Sequence, residues 1–371
     1  MTAPSPSPAP AGPDRPAEPA ELAPVRPGEE LDFDALAAYL RERIPDLDGE
    51  FAVLQFPNGS ANLTYQVRFG SRRLVVRRPP FGEVAPGAHD MRREYRALSR
   101  LYRGYPRAPR AFALCDDPAV IGSDFIVMEY RPGVVVWGAV PEPMRGHRDA
   151  ARRVGFAVVD ALADLHRVDP DECGLSDLGR PAGFLERQVA GWSKRWSLVA
   201  PPDGGPAVEA LGERLAAAIP ASGRPAVLHN DFKIDNCQFD PADPDRVVSV
   251  FDWDMATLGD PLVDLGTLLN YWPDPGDAEL PGELAIPAGL AEMGLPSRAE
   301  VVERYAARSG LDVGRVAWYE AYGCWKTAVI LQQLYARYVR GETTDERMGT
   351  RGDSVAGLTR RGHAVLDRLA S

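Results

Sequence analysis

Apolar positions along the chain change period several times, and each change predicts an element. Leu36, Tyr39, Leu40 and Ile44 recur at helical spacing, with Asp32 or Asp34 placed to cap the start. Short apolar runs follow. Phe51–Phe56, Tyr65–Phe69 and Leu74–Arg78 read as strands, the first two joined by Pro57–Thr64 and the last two by Gly70-Ser71. Asn58-Gly59 in the first connection favours a tight hairpin turn. A helix is expected over Asp90–Leu101, and the run FIVMEY, Phe125–Tyr130, reads as a buried strand ending at Arg131-Pro132-Gly133. Beyond it the helical period prevails. Val154, Val158, Leu162 and Leu165 stripe Arg148–Arg167, and Phe184–Trp196 carries Trp192 and Trp196 on one face. Trp318, Tyr322, Trp325, Val329 and Tyr335 line a long helix over Val316–Val339. Only Ala226–Leu228 and Val247–Phe251 break this half with strand-like runs, and Pro273–Pro296 reads as a long loop.

Composition narrows the class. A chain of 371 residues, 45% apolar and 26% charged, has room for two cores. Residues 1–28 are dominated by Pro, Ala and Glu and are expected to form a tail without a fold of its own. A formal net charge of −11 argues against a nucleic-acid partner. No apolar run is long enough to span a bilayer, and the N-terminus lacks the basic start and apolar core of a signal peptide. Cys115, Cys173, Cys237 and Cys324 form no CxxC pair, which fits reduced thiols and an expected cytoplasmic location. The pattern carries no signal for oligomeric state.

The candidate chemistry lies in Val227–Asp260, VLHNDFKIDNCQFDPADPDRVVSVFDWDMATLGD. The first strand-like run opens onto His229-Asn230-Asp231-Phe232-Lys233-Ile234-Asp235-Asn236, and the second ends on Asp252-Trp253-Asp254. Asp240–Asp245, rich in Pro and Asp, reads as the turn between them. The simplest geometry pairs these two runs and brings Asp231, Asn236 and Asp252 to one end. Three oxygen-bearing side chains there suit a hard cation such as Mg2+, with phosphate oxygens completing its shell. Asp235, Asp254, Asp260 and Asp264 read individually as turn or cap residues. A metallohydrolase would want further His ligands, and none of the five His is paired at ligand spacing.

His-x-Asp-x-x-x-x-Asn followed by an Asp at a strand end is the kinase-type arrangement. HNDFKIDN with DWD resembles the aminoglycoside phosphotransferase-like family of small-molecule kinases, closest to the branch also found fused to acyl-CoA dehydrogenases. The resemblance implies an α+β, protein-kinase-like bilobal fold. An N-lobe over 29–130 would hold an antiparallel sheet with helices, and a mainly helical C-lobe would cover 131–371. It implies Asp231 as catalytic base, Lys233 at the transferring phosphoryl, and Asn236 and Asp252 as metal ligands, with Asp264 bracing the loop. The hairpin residues Asn58, Gly59, Ser60 and Asn62 would cover the ATP phosphates. The phosphate-gripping position on the third strand is Arg rather than Lys. Alternation sets Val75 with Arg77 and Val76 with Arg78, and alignment to the family favours Arg77, paired with Glu94. Adenine would meet backbone groups near Glu129, Tyr130 and Arg131, beside Met128.

The function this implies is transfer of the γ-phosphoryl of MgATP to a hydroxyl of a small molecule. The acceptor would be a hydroxylated metabolite such as a hydroxyacyl compound, or an aminoglycoside-like or amino-alcohol acceptor. Two alternatives compete. A protein kinase would show DFG and APE segments, which are missing here. A nucleotide-binding regulator draws support only from Arg at the Lys position. Trp192 and Trp196 read as core, His166 and His229 as structural, and Lys326, Gln332, Gln333 and Arg337 as either substrate-facing or solvated.

Overall fold

The computed structural model describes residues 22–56, 62–82, 89–202, 204–279, 283–343 and 345–370. Helix α1 (Phe33–Arg43) precedes strands β1 (Phe51–Gln55), β2 (Leu63–Phe69) and β3 (Arg72–Arg78), then α2 (Met91–Leu101) and β4 (Ala111–Cys115). The short α3 (Pro118–Ile121) leads to β5 (Phe125–Glu129) and β6 (Val134–Val135). The helical part comprises α4 (Ala150–His166), α5 (Phe184–Ser197) and α6 (Pro206–Ala217), interrupted by β7 (Ala226–Leu228), β8 (Cys237–Asp240), β9 (Asp243–Val250) and β10 (Thr257–Gly259). It closes with α7 (Leu262–Tyr271), α8 (Arg298–Ser309), α9 (Val316–Val339) and α10 (Asp353–Ala370). No helix among the described residues is long and apolar enough to cross a membrane.

Strands β1 to β5 form one antiparallel sheet in the order β1-β2-β3-β5-β4. The period-2 pattern decides its two faces. Tyr65, Val67 and Phe69 of β2 and Leu74 and Val76 of β3 pack with Leu36 and Leu40 of α1. The opposite face turns Val75 and Arg77 toward the helical part. Alpha1 is capped by Asp32, which accepts the Ala35 N–H at 2.9 Å, and α2 by Asp90, which accepts that of Arg93 at 3.0 Å. Each such cap contributes about 1 kcal/mol. Alpha2 buries Met91, Glu94, Ala97, Leu98 and Leu101, so a charged residue sits within its apolar stripe.

In the helical part α7 and α9 cross at van der Waals contact. A Cβ on Gly266 would stand 2.1 Å from the Tyr319 carbonyl oxygen, and one on Gly323 would stand 2.6 Å from that of Gly266. Two glycines facing each other therefore set the crossing, and they bring Asp264 of α7 and Lys326 of α9 to the same side of the bundle core. Trp192 and Trp196 are buried in that core; all four cysteines are buried and unbridged.

Three expectations need correction. Ordered chain begins before residue 28: Ala23 and Gln55 exchange backbone hydrogen bonds of 2.9 and 2.8 Å, and Tyr65 Oη donates to the Glu29 carbonyl at 2.7 Å. A short segment covers the edge of β1 because that edge would otherwise leave ladder groups unpaired. Leu63 and Thr64 belong to β2 rather than to the connection, whose residues 57–61 lie outside those described. Finally, the two runs flanking the catalytic stretch do not pair with each other. Beta7 pairs with β10, and β9 pairs with β8, starting at Asp243 inside the stretch read as a turn. Pro244 is tolerated there because β9 lies at the edge of its sheet.

Candidate active site

Two small ladders carry the catalytic stretch. Beta7 ends at Leu228, opposite Thr257 of β10, and releases the chain into the loop bearing Asp231. Asn236 stands one residue before β8, and Asp252 two residues after β9. The Phe251 N–H donates to the Asn236 carbonyl at 3.1 Å, tying the ends of the β8–β9 hairpin together. The three residues thus converge, although by a different strand pairing from the simplest one.

The loop's backbone is held from behind. Asp264, fully buried, accepts the N–H groups of His229 and Asn230 at 2.7 Å each, and it meets His166 Nε2 at 3.3 Å. Burial opposes ionisation there, but these donors outweigh it and hold Asp264 below the usual carboxylate range. His229 is buried between Phe232 and Trp253. Its Nδ1 accepts the Asp231 N–H at 3.3 Å, so Nε2 carries the proton and donates to the Phe251 carbonyl at 2.9 Å. Both histidines are structural, as their contexts suggested.

Asp231 is partly exposed and stands beside two cleft residues. Its Oδ2 lies 3.2 Å from Lys233 Nζ and 3.3 Å from Asn236 Nδ2. Lys233 is also 3.8 Å from Asp235 Oδ2. Burial favours neutral Lys233, but Asp231 and Asp235 outweigh it and keep the ammonium charged. Asn236 Nδ2 donates to the Asp231 carbonyl at 2.8 Å as well, which leaves its amide oxygen for the cleft.

The upper wall supplies the opposite charge. Alternation along β3 directs Arg77 into the cleft, while Arg78 turns away to the Ile121 carbonyl at 2.9 Å. Arg77 is buried, with Nε 3.2 Å from Glu94 Oε2 and Nη2 bound to Asp252 Oδ1. Asn62, with its amide oriented as its neighbours require, accepts from Arg77 Nη2 at 2.6 Å and donates to His89 Nδ1 at 2.9 Å. Burial pushes Glu94 up to about 7 despite Arg77, because Arg77 is shared with Asp252. Asp252 is held low: burial raises it, and Arg77 more than offsets that. Asp254 is pushed up to about 6, first by burial and then by Asp252.

One cleft between the sheet and the helical part is lined by Asn62, Arg77, Glu129, Tyr130, Lys233, Asn236 and Asp252. Asn58, Gly59 and Ser60 lie outside the described residues. Glu94 stands behind Arg77, and Asp231 contacts the lining through Lys233 and Asn236. Asp254 and the exposed Trp137 went unnoticed in the sequence as site residues. Asp254 looked like any turn carboxylate, and an isolated Trp beyond a two-residue strand carries no periodic signal. Lys326 and Gln332 turn inward, to the Asn230 carbonyl at 2.8 Å and the Val199 carbonyl at 3.0 Å, which excludes a solvated face for either.

Among the described residues no group of three or more His, Cys, Asp or Glu is spaced to hold a metal ion. Asn236 and Asp252 offer two hard oxygen ligands at one cleft. That set fits a magnesium ion shared with phosphate oxygens, not a cage built of protein alone.

Residues 52–319 match the profile of the family described as APH, phosphotransferase enzyme family. Mouse acyl-CoA dehydrogenase family member 10 is 31% identical over 364 residues, covering 93% of this chain and 33% of that protein. The chain spans less than half the length of the first curated relatives it matches. A solved Ralstonia eutropha JMP134 protein, described as a candidate aminoglycoside phosphotransferase, is 28% identical with a TM-score of 0.74, covering 91% of this chain and 99% of that one. A thermostable mutant of aminoglycoside phosphotransferase APH(4)-Ia, in ternary complex with AMP-PNP and hygromycin B, shares the fold. It shows a TM-score of 0.57 and 17% identity, with 91% of this chain and 99% of that one covered. An antiparallel sheet over a mainly helical part, a cleft between them and the family match agree: this chain belongs to the phosphotransferase enzyme family, with its kinase-like fold.

Proposed function

We propose that this chain is a kinase that moves the γ-phosphoryl of MgATP to a hydroxyl of a small molecule. The observation that carries the reading is the convergence of Asp231, Lys233, Asn236 and Asp252 with Arg77 at one cleft. In this reading Asp231 orients the acceptor hydroxyl and takes its proton as the phosphoryl leaves. Lys233, kept cationic by its two carboxylates, meets the transferring group. Arg77 Nη1, which has no partner among the described residues, is the donor it can offer a phosphate. Backbone groups of Glu129–Arg131 would hold the base, and the hairpin around Asn62 would close over the triphosphate. Asn236 and Asp252 would hold magnesium, which offsets charge on the phosphates when bound.

The acceptor we favour is a hydroxylated metabolite, a hydroxyacyl compound ahead of an aminoglycoside or amino alcohol. Support comes from the identity to acyl-CoA dehydrogenase family members. The test is Mg-dependent ATP consumption against hydroxy acids and their CoA esters, sugars, amino alcohols and aminoglycosides, with Asp231→Ala beside it. Turnover with one pool, reduced about a hundredfold or more in the variant while ATP still binds, is expected. Undiminished turnover in Asp231→Ala would remove the assignment.

A further inference from the structure

Lys326 carries a buried amino group, its pKa lowered by burial, that the mechanism above does not use. It projects from α9 and is 5% exposed, yet it pairs with no carboxylate among the described residues. A charge in such a place is unfavourable unless something nearby needs it. Its contact is the Asn230 carbonyl, at 2.8 Å, with the Trp192 ring 6.0 Å away.

Asn230 is an unusual partner. It has a φ of +65°, in the left-handed region, although it is not glycine, and it directly precedes Asp231. Both its backbone groups and its side-chain Nδ2 are engaged. Its N–H goes to Asp264 Oδ1 at 2.7 Å, its side-chain Nδ2 donates to the Met255 carbonyl at 2.8 Å, and its carbonyl meets Lys326. A carboxylate grips the donor end of this residue and the Lys326 amino group grips the acceptor end. Both come from helices held at fixed spacing by the Gly266–Gly323 crossing. The Asn230 carbonyl belongs to the same peptide unit as the Asp231 N–H, so fixing it fixes the plane from which the Asp231 side chain departs.

We propose that Lys326 is a positioning residue that holds the Asn230–Asp231 peptide by its carbonyl while Asp264 holds the preceding His229–Asn230 peptide by its N–H, and that this clamp on Asn230 sets the direction of the Asp231 carboxylate. The clamp stands on geometry alone, and its effect on turnover rests on the kinase reading. It assigns α9, remote in sequence from the catalytic stretch, a role in the rate rather than in nucleotide affinity. A displacement of about an ångström at a reacting group is enough to slow a positioned reaction by roughly a hundredfold.

The test uses the full chain and Lys326→Met. The probes are phosphate release from MgATP with water as acceptor and hydrogen exchange of peptides covering 227–236. We expect kcat to fall roughly ten- to a hundredfold with KM for MgATP and the melting temperature nearly unchanged. Exchange over 227–236 should accelerate about tenfold. Wild-type kcat and wild-type exchange in Lys326→Met overturn the proposal, as does a change in KM alone. If Lys326→Met does not fold, exchange in the unmodified chain decides. Protection at 227–236 equal to that of α9 supports the clamp, and loop-like exchange there refutes it. A wild-type chain that releases no phosphate would count against the kinase reading, while the exchange arm would still judge the clamp.

Discussion

Arg77 and Asp252, 175 positions apart in sequence, are joined by a direct ion pair across the cleft. The cation suited to a triphosphate and the carboxylate suited to its metal thus neutralise one another, with Glu94 as the second anion on Arg77. This arrangement makes the cleft self-consistent electrostatically before anything binds, and it sets the sign of several measurable effects.

Removing the shared cation should be costly. Arg77→Met leaves Glu94 and Asp252 near each other with no counter-charge. Breaking a fully buried pair costs about 3–5 kcal/mol, and Asp252 is partly solvated, so about 2–4 kcal/mol is expected at neutral pH. Urea unfolding measures it. A loss below about 0.5 kcal/mol would show that the pair is not formed in solution.

Glu94 gives a pH dependence of known sign. Its carboxyl is pushed up to about 7 from an ordinary 4.5. The folded chain therefore keeps a proton that the unfolded chain releases across this window. Stability is full below about 4.5 and falls as pH rises through about 7, by up to about 3 kcal/mol. Asp254, at about 6, acts in the same direction. Glu94→Gln, which mimics the protonated acid, should flatten the curve over this window. Identical pH slopes in the two proteins would sink the argument.

Metal and nucleotide should separate at Asp252. In Asp252→Ala the enhancement of ATP affinity by Mg2+ should shrink to less than about threefold. Affinity for metal-free ATP should instead rise, because a carboxylate leaves the cleft and Arg77 gains a free donor. Titration of ATP with Mg2+ and with EDTA reads both effects. Full retention of the Mg2+ enhancement would move the metal site elsewhere.

The crossing of α7 and α9 has no room for a methyl group. Gly266→Ala would set a Cβ 2.1 Å from the Tyr319 carbonyl oxygen, a backbone atom that cannot rotate aside. Destabilisation of about 2–4 kcal/mol is expected, with slower turnover because Asp264 and Lys326 would move apart. A melting temperature within a degree or two of the parent would contradict this geometry.

Much of this molecule was legible before any coordinates. Alternation in LVVRRPP set Arg77 and Arg78 on opposite faces, the family resemblance favoured Arg77, and the folded chain pairs Arg77 with Glu94 while Arg78 turns to the Ile121 carbonyl. The bounds of α9 were readable to the residue, because an aromatic stripe at helical spacing has few other solutions. HNDFKIDN and DWD pointed to the candidate site because their spacing is local, and local spacing survives folding. Non-local pairing was not legible. The local pattern would let β7 pair with β9, whereas in the folded chain β7 pairs with β10 and β9 with β8. Ala23 carries no periodic signal, so its bridge to Gln55 depends on an open edge the sequence does not display. Motif and period, being properties of neighbours along the chain, were enough to nominate the side chains of the candidate site. Only the folded arrangement leaves Asp254 half-buried near Asp252 and turns Lys326 inward to Asn230. Burial and charge pairing depend on residues far apart in sequence, brought together when the helices close on one another.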